Sequence, residues 1–69
     1  MKGIPDIGCR VDHEVLGLGT VENIYSIKIP MVNGSFQQWT KIQILFDDNG
    51  HRDLSWGFVK NLMEEVDNE

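Results

Sequence analysis

Between His13 and Val21 the chain runs His13-Glu14-Val15-Leu16-Gly17-Leu18-Gly19-Thr20-Val21. Two glycines this close together leave few options. Gly17 and Gly19 permit positive φ angles and close backbone approach, which a sharp reversal needs. Before them the residues alternate. Cys9, Val11 and His13 fall on one side, Arg10 and Asp12 on the other, which is the pattern of a half-buried strand. After them, residues 20–29 are rich in β-branched and aromatic side chains. The corner therefore joins two strands, whereas a dinucleotide-type phosphate loop would need a strand followed by a helix.

The second strand breaks its own alternation. Val21 and Ile24 lie on opposite parities, while Tyr25, Ile27 and Ile29 share the parity of Val21. A bulge or strong bend near Glu22-Asn23 reconciles them. Pro30 ends the strand, and residues 31–35 form a loop with Asn33-Gly34 as its turn signal. Residues 36–46 read as the next strand, with Ile42, Ile44 and Phe46 on its core face and Trp39, Lys41, Gln43 and Leu45 on the other. Asp47-Asp48-Asn49-Gly50 is the strongest hairpin signal in the chain. A two-residue loop would set Phe46 against Asp53. A three-residue loop ending in a left-handed Gly50 opposes Asp47 to His51 and Ile44 to Leu54, so apolar meets apolar and this register is preferred. Residues 51–54 return as a strand and 55–58 form a tight helical turn. Residues 59–63 close the sheet as a short strand, with a helix through Met63 as the competing assignment.

Composition limits what such a chain can do. With 69 residues it is one small domain, and a chain of that size buries only about 60% of its unfolded surface. There is little room for a deep substrate cavity. The single cysteine, Cys9, cannot form an internal disulfide, so a reducing cytoplasm is the expected location. No run approaches the roughly 20 apolar residues of a membrane helix, and no signal-peptide core is visible. The net charge of −5 is uneven: Glu64, Glu65, Asp67 and Glu69 crowd the end, leaving six bases against seven acids in the remainder. The expected division is a domain over residues 1–63 and a flexible acidic tail over 64–69. A pI near 4.8 argues against a domain built on phosphate contacts.

These strands and turns describe a small, partly open antiparallel barrel of about five strands, with a short helical turn before the last. The pattern Val11-x-His13-x-x-Leu16-Gly17-x-Gly19-Thr20-Val21-x-x-Ile24, then Ile44-x-Phe46-Asp47-x-x-Gly50-x-x-x-Leu54 and a closing Leu62, resembles the C-terminal Tudor-like domain of the UvrD and PcrA helicases. It is also similar to the RNA-polymerase-interacting domain of the CarD and Mfd proteins. The resemblance covers residues 8–62 and implies an SH3-like barrel of the Tudor and KOW kind. It implies a docking module, several of whose relatives bind RNA polymerase, and no catalysis. Two departures stand out. Leu16 replaces a frequent aromatic, and Glu14 and Val15 replace basic residues, which disfavours direct nucleic-acid contact.

The aromatic residues are the candidates for partner binding, because they bury large area at little entropic cost. They are Trp39, Trp56, Phe58 and Tyr25, joined by Arg52. His13, Gly17, Gly19 and Gly50 read as turn-forming residues, His13 through hydrogen bonds from its ring to the turn backbone. Metal binding is not expected: Cys9, His13 and His51 lack ligand spacing, and a closed zinc site wants four ligands. No cofactor is expected either. Ser26, Ser35 and Ser55 have no locally supported His and Asp partners, so no catalytic residue is assigned and an enzyme is not expected. The leading expectation is a non-enzymatic protein-interaction module that docks to transcription or DNA-repair machinery such as RNA polymerase or a helicase complex. One alternative is a KOW-like nucleic-acid binder using Arg10, Lys28, Lys41, Arg52 and Lys60. Another is a small acidic inhibitor from a mobile element.

Overall fold

The computed structural model describes residues 3–66. Its elements are β1 (Arg10–His13), β2 (Gly17–Pro30), β3 (Phe36–Phe46), β4 (Gly50–Ser55), α1 (Trp56–Val59) and β5 (Met63–Glu65). They form one five-stranded antiparallel sheet in the order β4-β3-β2-β1-β5. The expected all-β class and strand number are observed. The sheet is not closed: β4 and β5 are its two edges, and no ladder joins them among the described residues.

The glycine corner forms as a strand-to-strand turn, and its two glycines serve different needs. Gly17 has φ +84°, a conformation that crowds any Cβ. Gly19 has no such φ, but a Cβ there would lie 2.8 Å from Ile44 Cγ2 and 2.9 Å from both Leu45 O and Phe46 Cδ1. His13, only 7% exposed, accepts from the N–H groups of Val15 and Leu16 at its Nδ1 (3.0 and 3.1 Å). Its ring meets that of Phe46 edge-on at 5.9 Å. The ring thus supplies the acceptor that the turn backbone would otherwise lack.

The bulge falls at Glu22. Val21 pairs with Ile44 and Asn23 with Gln43, so Glu22 is the extra residue. The slip turns both Val21 and Ile24 toward the core. Val11, Val21, Ile42, Ile44 and Phe46 are fully buried, and Val59 and Met63 complete the cluster. Fully burying one such side chain contributes about 1.5–3 kcal/mol. A helix of one turn is not stable alone, and α1 is held by Val59 in that core and Trp56 packed beside it.

Three expectations need correction. First, β3 and β4 pair two residues away from the expected register: Phe46 opposes Gly50, Ile44 opposes Arg52 and Ile42 opposes Leu54. The turn starts earlier because Asp47 is held elsewhere. Its N–H bonds Leu18 O at 2.9 Å, and its carboxylate takes a bidentate bond from Arg10 at 2.7 and 3.0 Å. Asn49 Nδ2 also donates to Leu16 O at 2.9 Å, which fastens the turn to the first corner. Gly50 does adopt the left-handed conformation, at φ +71°. Second, residues 59–63 are not a strand, and no helix runs through Met63. Lys60 N–H bonds Trp56 O and Leu62 N–H bonds Val59 O, so a turn follows α1 and the last strand starts at Met63. Third, Glu64 and Glu65 are not a frayed tail. They lie in β5 against Asp12 and Val11, and Val66 N–H bonds Arg10 O at 2.8 Å. Residues 67–69 of the acidic stretch lie outside the described residues.

One feature of the architecture positions the site. β1 flanks β2 only at residues 17–20, and β4 flanks β3 only at 41–46. Beyond them, residues 26–30 and 36–40 continue as a two-stranded ribbon to the loop at 31–35. The longest dimension of the molecule is accordingly 47 Å against 27 and 19 Å for the others.

Candidate functional site

At the root of the ribbon, the outer edge of β3 and the start of α1 face one another across a groove. Its walls are residues 37–40 of β3 and 55–58 at the end of β4 and in α1, and it encloses about 440 Å³. Trp39 has the parity opposite Ile42 and so projects to the far side of the sheet from the core. There its ring meets Phe58, with centroids 5.8 Å apart and planes tilted by 60°. Such a pair is worth about 0.5–1.5 kcal/mol beyond its buried area. Phe58 nevertheless remains 71% exposed. Trp56 spans two environments, packing against the core cluster and also lining the groove.

The sequence candidates therefore separate. Trp39, Trp56 and Phe58 meet at one groove. Tyr25 lies on the same face of the sheet as Trp39 but belongs to a neighbouring polar row. It pairs across from Lys41, and its hydroxyl donates to Asp53 Oδ2 at 3.0 Å. That hydrogen bond, with some desolvation and the nearby carboxylate charge, raises the Tyr25 pKa above its ordinary value. Lys41 Nζ donates to Ser55 Oγ at 3.3 Å. Arg52 stands apart: it is exposed, pairs across from Ile44, and donates to the carbonyl of His51 at 3.1 Å. His13, Gly17, Gly19 and Gly50 shape the two turns and line none of this groove.

Gln37, Gln38, Thr40 and Ser55 also line the groove, and sequence reasoning did not single them out. The available signal was length. An eleven-residue strand followed by a six-residue return leaves its first residues without a neighbour on that side. None of the lining residues carries a charge. The basic side chains offered for nucleic-acid contact are partly engaged. The Arg10 guanidinium is held by Asp47 and also reaches Thr20 Oγ1 at 2.9 Å. That ion pair raises the Arg10 pKa and holds the Asp47 carboxyl below its usual range, chiefly through the side-chain hydrogen bonds. Among the described residues no group of three or more His, Cys, Asp or Glu could hold a metal ion. No helix among them is long and apolar enough to cross a membrane. Comparisons with protein-family models, with curated proteins and with solved structures give no match to this chain.

Proposed function

We propose that this chain is a non-enzymatic protein-interaction module that grips its partner at the groove between Trp39 and Phe58. The observation that carries the reading is that aromatic pair. Two rings in contact, one of them 71% exposed, flank an uncharged groove on the face away from the core. Exposed aromatics beside a concavity are the residues that most often dominate binding energy at interfaces.

The architecture is read as an SH3-like, Tudor-like barrel opened along the β4–β5 seam. A first strand lying between the second and the last supports that reading, as do the bulged β2 and the single helical turn before β5. The resemblance to the UvrD, PcrA, CarD and Mfd domains then makes transcription or DNA-repair machinery, RNA polymerase foremost, the expected partner in a reducing cytoplasm. Commitment of Arg10 to Asp47 and the net charge of −5 disfavour a nucleic-acid partner.

The test is recovery of partners from nuclease-treated bacterial lysate on the tagged chain, in parallel with Phe58→Ala. Phe58 is exposed and absent from the core cluster, so its removal is expected to cost no more than its ring contact with Trp39, about 0.5–1.5 kcal/mol, to leave the chain folded and to lose the partner. Full retention of the partner by Phe58→Ala, or recovery of nuclease-sensitive material only, refutes the reading.

A further inference from the structure

The groove is also a sheet edge, and its backbone is arranged for pairing. Asp47 N–H bonds Leu18 O at one end of β3, and at the other end Ser35 O accepts the N–H of Met31. Both odd-numbered residues therefore turn their main-chain groups toward β2. In an antiparallel ladder the sides alternate, so the even-numbered residues of β3 turn theirs the other way. At Ile42, Ile44 and Phe46 that side is occupied by β4, through Leu54, Arg52 and Gly50. At Gln38 and Phe36 no strand of the described residues is there, because β4 leaves the sheet at Ser55 and the chain turns into α1.

Exposed edges in soluble proteins are normally blunted by charge or proline. The β4 edge carries His51, Arg52 and Asp53, and the β5 edge carries Glu64 and Glu65. The free stretch of β3, Phe36-Gln37-Gln38-Trp39-Thr40, carries neither charge nor proline, and its Phe36 is 66% exposed.

We infer that the partner enters this groove as an added β-strand, in line with β4, hydrogen-bonded to the main chain of Phe36 and Gln38. This rests on the docking reading above and specifies its ligand: an extended, proline-free segment of another protein, about four residues long at ~3.3 Å per residue. Alternate side chains of that segment lie against Trp39 and Phe58 and are apolar. Its centre is uncharged, because the groove holds no charged group to pair with a buried one.

The test is selection of a displayed library of random dodecapeptides on the full chain, followed by affinity measurement on synthetic copies of the enriched sequences. Alternating apolar residues and an uncharged centre are expected. Gln38→Pro removes an outward N–H that β2 does not use. It should weaken binding about tenfold, while Gln38→Ala keeps it within about threefold. Amide hydrogen exchange on the unaltered protein is the second measurement, and the amides of Phe36 and Gln38 should be slowed by peptide. If peptides bind, lose binding in Trp39→Ala, and are indifferent to Gln38→Pro with no slowing at Phe36 or Gln38, strand addition is wrong and docking stands. Enriched peptides rich in proline also overturn it. If no sequence is enriched, or those enriched ignore both Trp39→Ala and Gln38→Pro, the docking groove itself is refuted.

Discussion

Gly17 and Gly19 sit two residues apart in one corner, and substituting each by alanine separates two kinds of constraint. At Gly17 a Cβ meets nothing within 4 Å, so the penalty is conformational: φ +84° costs a non-glycine residue about 1–2 kcal/mol. At Gly19 the backbone is ordinary and the space is not. The added carbon would lie 2.8–2.9 Å from Ile44 Cγ2, Leu45 O and Phe46 Cδ1. Ile44 and Phe46 are fully buried and Leu45 O is backbone, so no flexible surface end can move aside. Overpacking typically costs about 1–3 kcal/mol, and this site belongs at the top of that range. For 69 residues the whole stability is roughly 3.5–10 kcal/mol, so Gly19→Ala removes a large part of it. Urea unfolding should show a loss of about 3 kcal/mol for Gly19→Ala and about 1.5 for Gly17→Ala. In thermal unfolding the first is a fall of at least about 12 °C. Asparagine tells the two causes apart. It tolerates left-handed backbone, so Gly17→Asn should recover part of the alanine loss, while Gly19→Asn should do no better than Gly19→Ala. A Gly19→Ala loss below about 1 kcal/mol, or smaller than that of Gly17→Ala, would refute the steric account.

Two further predictions concern titration. Tyr25 is the only tyrosine, so the phenolate absorbance of the folded chain reports it alone. The hydrogen bond to Asp53 should put its midpoint above 10.0, Asp53→Ala should lower it, and a midpoint at or below 10.0 would refute the bond. Since the folded pKa is the raised one, the associated stability is present below the unfolded value and lost as pH rises through the folded value. For Asp47 the sign is opposite. Arg10 depresses its pKa, so the stabilisation is present above the ordinary carboxylate value and disappears as pH falls through the folded value. The gap in urea midpoint between the natural chain and Asp47→Asn should be widest near neutrality, shrink in acid and narrow in high salt. A gap independent of pH would show that the ion pair contributes nothing.

Much of the local structure was legible in the residues because it is decided by near neighbours. Alternation marked β1 and β3, and the clash of parity between Val21 and Ile24 placed a bulge or bend near Glu22-Asn23, where the register does slip. Aromatic content pointed to Trp39, Trp56 and Phe58, which do meet at one groove, but it also drew in Tyr25, which lies in a neighbouring polar row, and Arg52 beside them stands elsewhere. Aromaticity reports that a side chain favours burial without saying against what.

What the chain alone determined is therefore the menu of elements: the approximate spans of β1 to β4, the glycine corner, and the turn with its left-handed Gly50. Each follows from sterics within a few residues. The β3–β4 register, the start of β5 and the uncovered edge at Phe36 and Gln38 were decided only by the tertiary structure. They depend on contacts between residues far apart in sequence: Asp47 with Leu18 and Arg10, and Met63 with His13. Shifting a strand pairing by two residues leaves every side chain on the same face. Alternation therefore does not distinguish one such register from another, and long-range hydrogen bonds make the choice.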